Sequence, residues 1–368
     1  MSPEQKHIRK VKRKNRRKLI LAVIIAGVLM FFAVFMGLTT FLMRSRFTRV
    51  DYPDKKYSYN YRYSHYASKY PREEVTFLSG HNTLHGYIYG MDNDKGLIVF
   101  AHGIGAGHES YMPILISMVD KGWRVFAYDA TGSCSSEGSS TIGLAQSAID
   151  LDKALTYAES DDRLNELPMF VMGHSWGGYA SAAVLNFDHD IKACVTLSGY
   201  CTPMKELNEA SELILGSESA KYLTPFIWLY NKACFRNYSD LSAVDGINKS
   251  NIPVMVVHGT SDKTVRYDGA AIINQQSKIT NEKVVYVTMD EKRRRGHNSY
   301  LYSKKTVNYM RKKLDPQFEL MMKQYNGKIP NQALAAYYRS VNKKLANGIN
   351  TELFDQVDEF FTQQLEPS

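Results

Sequence analysis

The sequence predicts an α/β fold: a mostly parallel sheet covered on both faces by helices, preceded by one membrane-spanning helix. Three observations carry this reading. Short, largely apolar strand-like runs recur from residue 96 onward, separated by segments with helical spacing. A strand apolar on both faces belongs in a sheet buried on both faces, and such sheets are parallel and wrapped by helices. Ahead of them lies an uncharged stretch of 25 residues, 19–43, directly behind a block of nine Lys/Arg.

That stretch spans roughly 37 Å as a helix, enough to cross a hydrocarbon core of about 30 Å with some tilt. A backbone in lipid must satisfy its own hydrogen bonds, so the run is helical. The nine preceding cations outnumber Arg44, Arg46 and Arg49 behind it, which orients the N-terminus toward the cytoplasm and the rest of the chain outside the cytoplasm. A cleaved signal peptide would have an apolar core of about 7–15 residues and a small-x-small site. Here the core is longer and Thr39-Thr40-Phe41-Leu42 is a poor site, so a single-pass, uncleaved anchor in the cell membrane is expected. Residues 1–18 hold nine of the 46 Lys/Arg but one of the 37 acids, and without them the net charge of +9 falls to +1. The body is therefore near neutral, which argues against a nucleic-acid groove. With 44% hydrophobic and 23% charged residues the composition is globular rather than disordered or disulfide-dense. Cys134, Cys194, Cys201 and Cys234 form no C-x-x-C pair, which disfavours structural zinc. A bridge such as Cys201 to Cys234 stays open as an alternative to free thiols, and Cys194 suits a buried apolar site.

Residues 44–70 carry seven tyrosines among charges, without sustained periodicity, and read as a tether against the domain or the membrane interface. The remainder, 71–368, reads as one domain. Residues 74–78 and 83–89 form an opening hairpin. Strands follow at 96–101, 123–128, 169–173, 193–197, 254–258 and 284–288, with helices over 111–121 and 141–159. Residues 202–250 contain no matching strand and look helical. Residues 300–368 form a helical tail that includes 302–314 and 353–365.

The strongest chemical signal is Gly173-His174-Ser175-Trp176-Gly177-Gly178. This G-x-S-x-G sequence follows a buried strand and precedes a helix of small residues, the context of a nucleophile elbow. The turn is so tight that the residues two away cannot carry side chains, and it lifts the serine Oγ to the amino end of a helix, where the dipole favours developing negative charge.

With this elbow, together with His102-Gly103-Ile104-Gly105, Asp129-Ala130-Thr131-Gly132-Ser133-Cys134-Ser135-Ser136, His258-Gly259-Thr260-Ser261-Asp262 and Gly296-His297-Asn298, the chain resembles the α/β-hydrolase superfamily over about residues 72–300. The branch it resembles is that of serine aminopeptidases and monoacylglycerol-lipase-like enzymes. The second piece departs from the family's D-x-R-G-x-G-x-S, since Thr131 and Cys134 replace the Arg and second Gly. The resemblance implies an α/β-hydrolase fold with a helical cap over 202–250, and the chain order Ser175, Asp262, His297 for a catalytic triad. Asp262 would fix the His297 tautomer and His297 would move the Ser175 proton. Asp268, Asp290 and Glu291 are rivals for the acid role without the same strand-end context. By analogy, the backbone N–H groups of Ile104 and Trp176 would form the oxyanion hole.

Several other features have plainer readings. Gly103-x-Gly105-x-Gly107 lacks the third glycine of a dinucleotide cradle, because His108 stands there. His81 and His85 fall in a hairpin without a third ligand. His258 reads as a turn residue, and the basic run 292–295 as a solvated loop that could attract anionic substrates. No cofactor or metal is expected, and nothing indicates the oligomeric state. The leading function is therefore a membrane-anchored serine hydrolase acting on a small-molecule or lipid-like ester, such as an acylglycerol. One alternative is an aminopeptidase-like amide hydrolase, with an ammonium anchor among Glu206, Glu209, Glu212 and Glu218. The other is a non-catalytic interaction module on the same fold.

Overall fold

The computed structural model describes residues 2–365. Its first element, α1 (Pro3–Arg46), is a single helix of 44 residues, long and apolar enough to cross a membrane. It extends beyond the 19–43 run at both ends. Lys and Arg are good helix formers, and Ser2 and Gln5 cap the start reciprocally, each side chain accepting the other's backbone N–H.

The body is built on eight strands: β1 (Arg72–Ser79), β2 (Asn82–Tyr89), β3 (Leu97–Ala101), β4 (Arg124–Tyr128), β5 (Met169–His174), β6 (Ile191–Leu197), β7 (Val254–Gly259) and β8 (Val284–Met289). They form one sheet in the order β1-β2-β4-β3-β5-β6-β7-β8. The β1–β2 hairpin is antiparallel and β2 runs antiparallel to β4, while β3 to β8 are all parallel. Alternation along the strands feeds two cores. Leu97, Val99 and Ala101 of β3 face one side, with helices α3 (Gln146–Ser160), α4 (Trp176–Ala183) and α7 (Ala243–Ser250). Ile98 and Phe100 face the other, with α2 (Met112–Asp120) and the C-terminal helix α12 (Thr351–Thr362). The strands and their covering helices thus match the expected architecture.

Residues 202–250 are helical as expected, but they divide. The helices α5 (Pro203–Leu215) and α6 (Ser217–Phe235) form the cap, whereas Ala243 and Ile247 of α7 are buried in the main core. The tail holds α8 (Lys304–Tyr309), a following π turn (Met310–Leu314), α9 (Asp315–Gln324), α10 (Asn331–Ser340), α11 (Lys343–Ala346) and α12. It is part of the body: Phe361 of α12 packs 4.9 Å from Phe170 and 5.7 Å from Trp123, ring centre to ring centre, and Trp123 Nε1 donates to Asp358 at 2.7 Å.

The segment between α1 and β1 is stitched to the body rather than loose. Phe47 is buried, Val50 N donates to Gly132 O at 3.0 Å, and the Arg49 guanidinium donates to the carbonyls of Cys134, Ser136 and Gly138. Tyr52 OH donates to the buried Asp129 carboxylate at 2.9 Å. Farther along, Asn347 of the tail accepts from Tyr61 N and donates to Tyr59 O, both at 2.9 Å. All four cysteines are free thiols, with Cys134, Cys194 and Cys201 buried and Cys234 exposed.

Candidate active site

Ser175 stands between the end of β5 and the start of α4 with φ 57° and ψ −112°, a conformation that costs about 1–3 kcal/mol for a residue with a side chain. The flanking glycines make it attainable. A Cβ on Gly173 would lie 2.2 Å from the Gly177 carbonyl oxygen, and one on Gly177 would lie 2.0 Å from that of Ala101. Gly177→Ala is therefore expected to force the helix off the sheet. Overpacking of this kind costs about 1–3 kcal/mol or more, so a thermal melt should fall by roughly 5 °C. An unchanged melting temperature would contradict the contact.

The three residues expected to form a triad come together at the carboxyl ends of the strands, from the loops after β5, β7 and β8. His297 Nε2 lies 2.9 Å from Ser175 Oγ, and His297 Nδ1 lies 2.7 Å from Asp262 Oδ2. Asp262 Oδ1 accepts the backbone N–H groups of Thr264 (2.8 Å) and Val265 (3.0 Å). Burial alone would raise the Asp262 pKa, but hydrogen bonds from His258 and His297 hold the carboxyl well below the usual carboxylate range. The rival Asp290 is at the surface beside Thr260 and Arg295, and Glu291 pairs with Arg294 and Lys304. Asp268 is likewise exposed, beside Arg266.

Two histidines act here that the sequence reading left as plain motif or turn residues. His258 is the fifth residue of β7 and fully buried; its Nε2–H points at Val265 O (2.9 Å) and Asp262 Oδ2 (3.2 Å). The i, i+4 spacing of His258 and Asp262 across a strand-end turn was the available signal. His174 links two loops. Gly103 N–H donates to Tyr111 OH (3.1 Å), Tyr111 OH lies 2.9 Å from His174 Nδ1, and His174 Nε2 lies 3.2 Å from His297 O. Burial, with His297 beside it, pushes the His174 imidazole down to about 3. The ring is neutral, so a proton on Nε2 leaves Nδ1 to accept from Tyr111. His102 bridges Gly103 O and Ala130 N, tying the first glycine-rich loop to the end of β4.

The two backbone groups expected to bind an oxyanion flank Ser175. Trp176 opens α4, where a first-turn N–H has no partner within the helix, and Ile104 follows β3 in the loop facing it. Ile104 and Ser175 line two cavities. One, of about 390 Å³, is bounded by Tyr111, His174, His297, Asn298 and by Asn60, Asn347 and Ile349 from the tether and tail. The other, of about 340 Å³, lies under the cap against Trp176, Tyr200, Leu207 and Ile227.

Of the four cap acids, Glu206 lines the second cavity, while Glu212 and Glu218 are exposed. Burial, with Glu209 and Asp262 nearby, pushes Glu206 up to about 8. Its folded form keeps a proton that the unfolded chain loses above about pH 4.5, so this group makes stability fall as pH rises from there toward 8. In Glu206→Gln the gain in melting temperature over the unaltered chain should grow by a few degrees between pH 5 and pH 8; a gap independent of pH would contradict the burial of this carboxyl.

Within the basic run, Arg294 turns inward to Glu291 (3.0 Å), while Lys292, Arg293 and Arg295 are exposed. Among the described residues no group of three or more His, Cys, Asp or Glu is arranged to hold a metal ion.

A family model described as the α/β hydrolase fold matches residues 96–219. A search of curated protein sequences gave no match. Among solved structures, the chain is similar to an α/β hydrolase from Vibrio vulnificus, at 16% identity, over 77% of this chain and 93% of that one, with a TM-score of 0.54. It is also similar to an esterase from Pyrococcus furiosus, at 15% identity, over 77% of this chain and 100% of that one, with a TM-score of 0.50. At such identities the likeness is one of fold.

Proposed function

This chain is an α/β-hydrolase by fold, and on that premise we propose that it is a membrane-anchored serine hydrolase that cleaves carboxylic esters through an acyl-enzyme. The observation that carries the reading is the continuous line Ser175 Oγ, His297 Nε2, His297 Nδ1, Asp262 Oδ2, with steps of 2.9 and 2.7 Å across the ring. Ser175 Oγ attacks the ester carbonyl carbon while His297 Nε2 takes its proton. The bond to the leaving oxygen then breaks as Nε2 returns the proton to it, and water repeats the sequence to free the acid. The N–H groups of Trp176 and Ile104 hold the negative oxygen, each such donor contributing on the order of 3 kcal/mol.

The two cavities take different halves of the substrate. His297 must reach the leaving oxygen, and it lines only the cavity shared with Asn60, Asn298 and Asn347. That side holds the alcohol. The cavity under the cap, which Trp176 lines and His297 does not, holds the acyl group. The helix α1 anchors the enzyme with its cationic start in the cytoplasm and the body outside, on the charge rule for flanking segments.

Glu206 and Glu209 favour a second reading. Each has a buried carboxyl oxygen without a partner among the described residues, and the ammonium of an N-terminal residue would supply that partner and favour loss of the Glu206 proton. A panel of acyl esters of graded length beside aminoacyl amides, run on the full-length chain with a fluorophosphonate label for Ser175, tests both. Ester turnover and labelling support the proposal; preference for the amides supports the second reading. Failure to label would leave an interaction module on this fold.

A further inference from the structure

The cavity under the cap is not closed by the cap alone. Another wall is the end of α1 with the residue that caps it, where Thr39, Leu42, Met43, Ser45, Arg46 and Phe47 line it. Thr39, Met43 and Phe47 recur at every fourth residue and are buried, so one stripe of the membrane helix is committed to the body. The hydrogen bonds of residues 49–52 to the loop 129–138 hold that stripe in place.

The helix also fixes how deep the cap sits. Phe226 of α6 packs against Phe31, Phe32 and Phe35 of α1, with ring centres 6.4, 5.5 and 5.3 Å away. If the hydrocarbon begins after Lys18, about 30 Å of it consumes roughly 20 residues of an upright helix, to near Leu38. The Phe226 contact then lies about 5–10 Å inside the hydrocarbon, and any tilt puts it deeper. The cap surface is suited to that depth: Leu213, Ile214, Tyr222 and Trp228 are 62%, 75%, 67% and 47% exposed. Exposed apolar side chains gathered on two successive helices mark a surface that leaves water, and the Phe226 contact sets α6 of that pair beside the span.

We infer that the last turns of the membrane helix are a structural wall of the acyl pocket, and that the substrate is an ester lipid whose acyl chain rises into it from the outer leaflet. The inference rests on the serine-hydrolase reading and adds the substrate class and its route. A protonated Glu206 suits this occupant, since it adds no charge to the pocket at neutral pH. The alcohol half, a polar headgroup, lies on the other side of Ser175, in the cavity lined by Asn60, Asn298 and Asn347.

The test uses the full-length chain and alkyl fluorophosphonates of two chain lengths, C2 and C12, which report the acyl site by labelling Ser175 without turnover. In detergent micelles the ratio of C12 to C2 labelling rates is expected to be at least 10, and to fall at least fivefold in Thr39→Trp, which fills the pocket from the membrane helix. An unchanged ratio overturns the inference. Leu213→Gln/Trp228→Gln, on the exposed cap and away from buried packing, gives an independent reading. With C12 delivered from phosphatidylcholine vesicles, its labelling rate should drop at least tenfold while C2 labelling stays within twofold. Equal C12 rates from vesicles overturn entry from the leaflet. Labelling by C2 with no preference for C12 refutes the acyl pocket alone; no labelling by either probe refutes the serine-hydrolase reading and this inference with it.

Discussion

Ser175→Ala is expected to lower kcat for an activated ester on the order of 10⁶-fold, since the members of such a relay act as a unit. The substitution removes one oxygen atom. The φ of 57° at this position is already met by a residue with a Cβ, and His297 keeps its 2.7 Å contact with Asp262, so the scaffold is expected to stay as it is. The backbone N–H groups of Trp176 and Ile104 remain, and so does binding, which together leave about 10³–10⁴-fold acceleration over water. KM should therefore change far less than kcat. Steady-state kinetics on the purified full-length chain check this, and hydrolysis that survives the substitution would mean that another residue is the nucleophile.

Asp262→Asn is expected to cost about 10⁴-fold in kcat at pH 7, for a reason readable in the hydrogen bonds. Asp262 Oδ1 accepts two backbone N–H groups, from Thr264 and Val265. The amide of Asn keeps those bonds only with its oxygen in the Oδ1 position. Its NH₂ then faces His297 Nδ1 and His258 Nε2, where the carboxylate oxygen stood. A donor facing Nδ1 moves the His297 proton to Nε2, and that nitrogen can no longer accept from Ser175. The fold should persist at a lower melting temperature, because the NH₂ meets the His258 Nε2–H as donor against donor and the stabilisation of the depressed carboxylate is lost; that loss is small beside the loss of rate. A variant with near-normal kcat would show that His297 is oriented by something other than this carboxylate.

Much of the site was legible because its parts make local demands. Ser175 needs a small residue two positions to each side, and a strand before it and a helix after it; all of that is written within residues 169–185. Asp262 and His297 each follow an apolar strand, in turns containing glycine. The inner strands, apolar at nearly every position, announce burial on both faces. His258 was misread because a residue at a strand end looks like a turn residue unless the turn beyond it is known to fold back. Four positions later Asp262 does fold back, and the imidazole lands 3.2 Å from its carboxylate. The tyrosine-rich segment 44–70 lacks periodicity because its side chains are used singly, as Tyr52 is at Asp129, and single anchors leave no pattern.

By itself the sequence determined the parallel sheet, the glycine-flanked turn around Ser175 and an apolar run long enough for a bilayer, and its family resemblance supplied the order Ser175, Asp262, His297. The first three depend on spacing over a few residues: a period of two or 3.6, a glycine beside a crowded backbone, a run without charge. Only the tertiary structure decided that Ser175 opens on two cavities, that a neutral His174 ties the loop of Gly103 to the loop of His297, and that the long N-terminal helix packs along the cap and walls one cavity. Those arrangements join residues more than a hundred positions apart. They arise from which apolar faces find each other when the chain closes, and a one-dimensional pattern shows that a face is apolar without showing what will cover it.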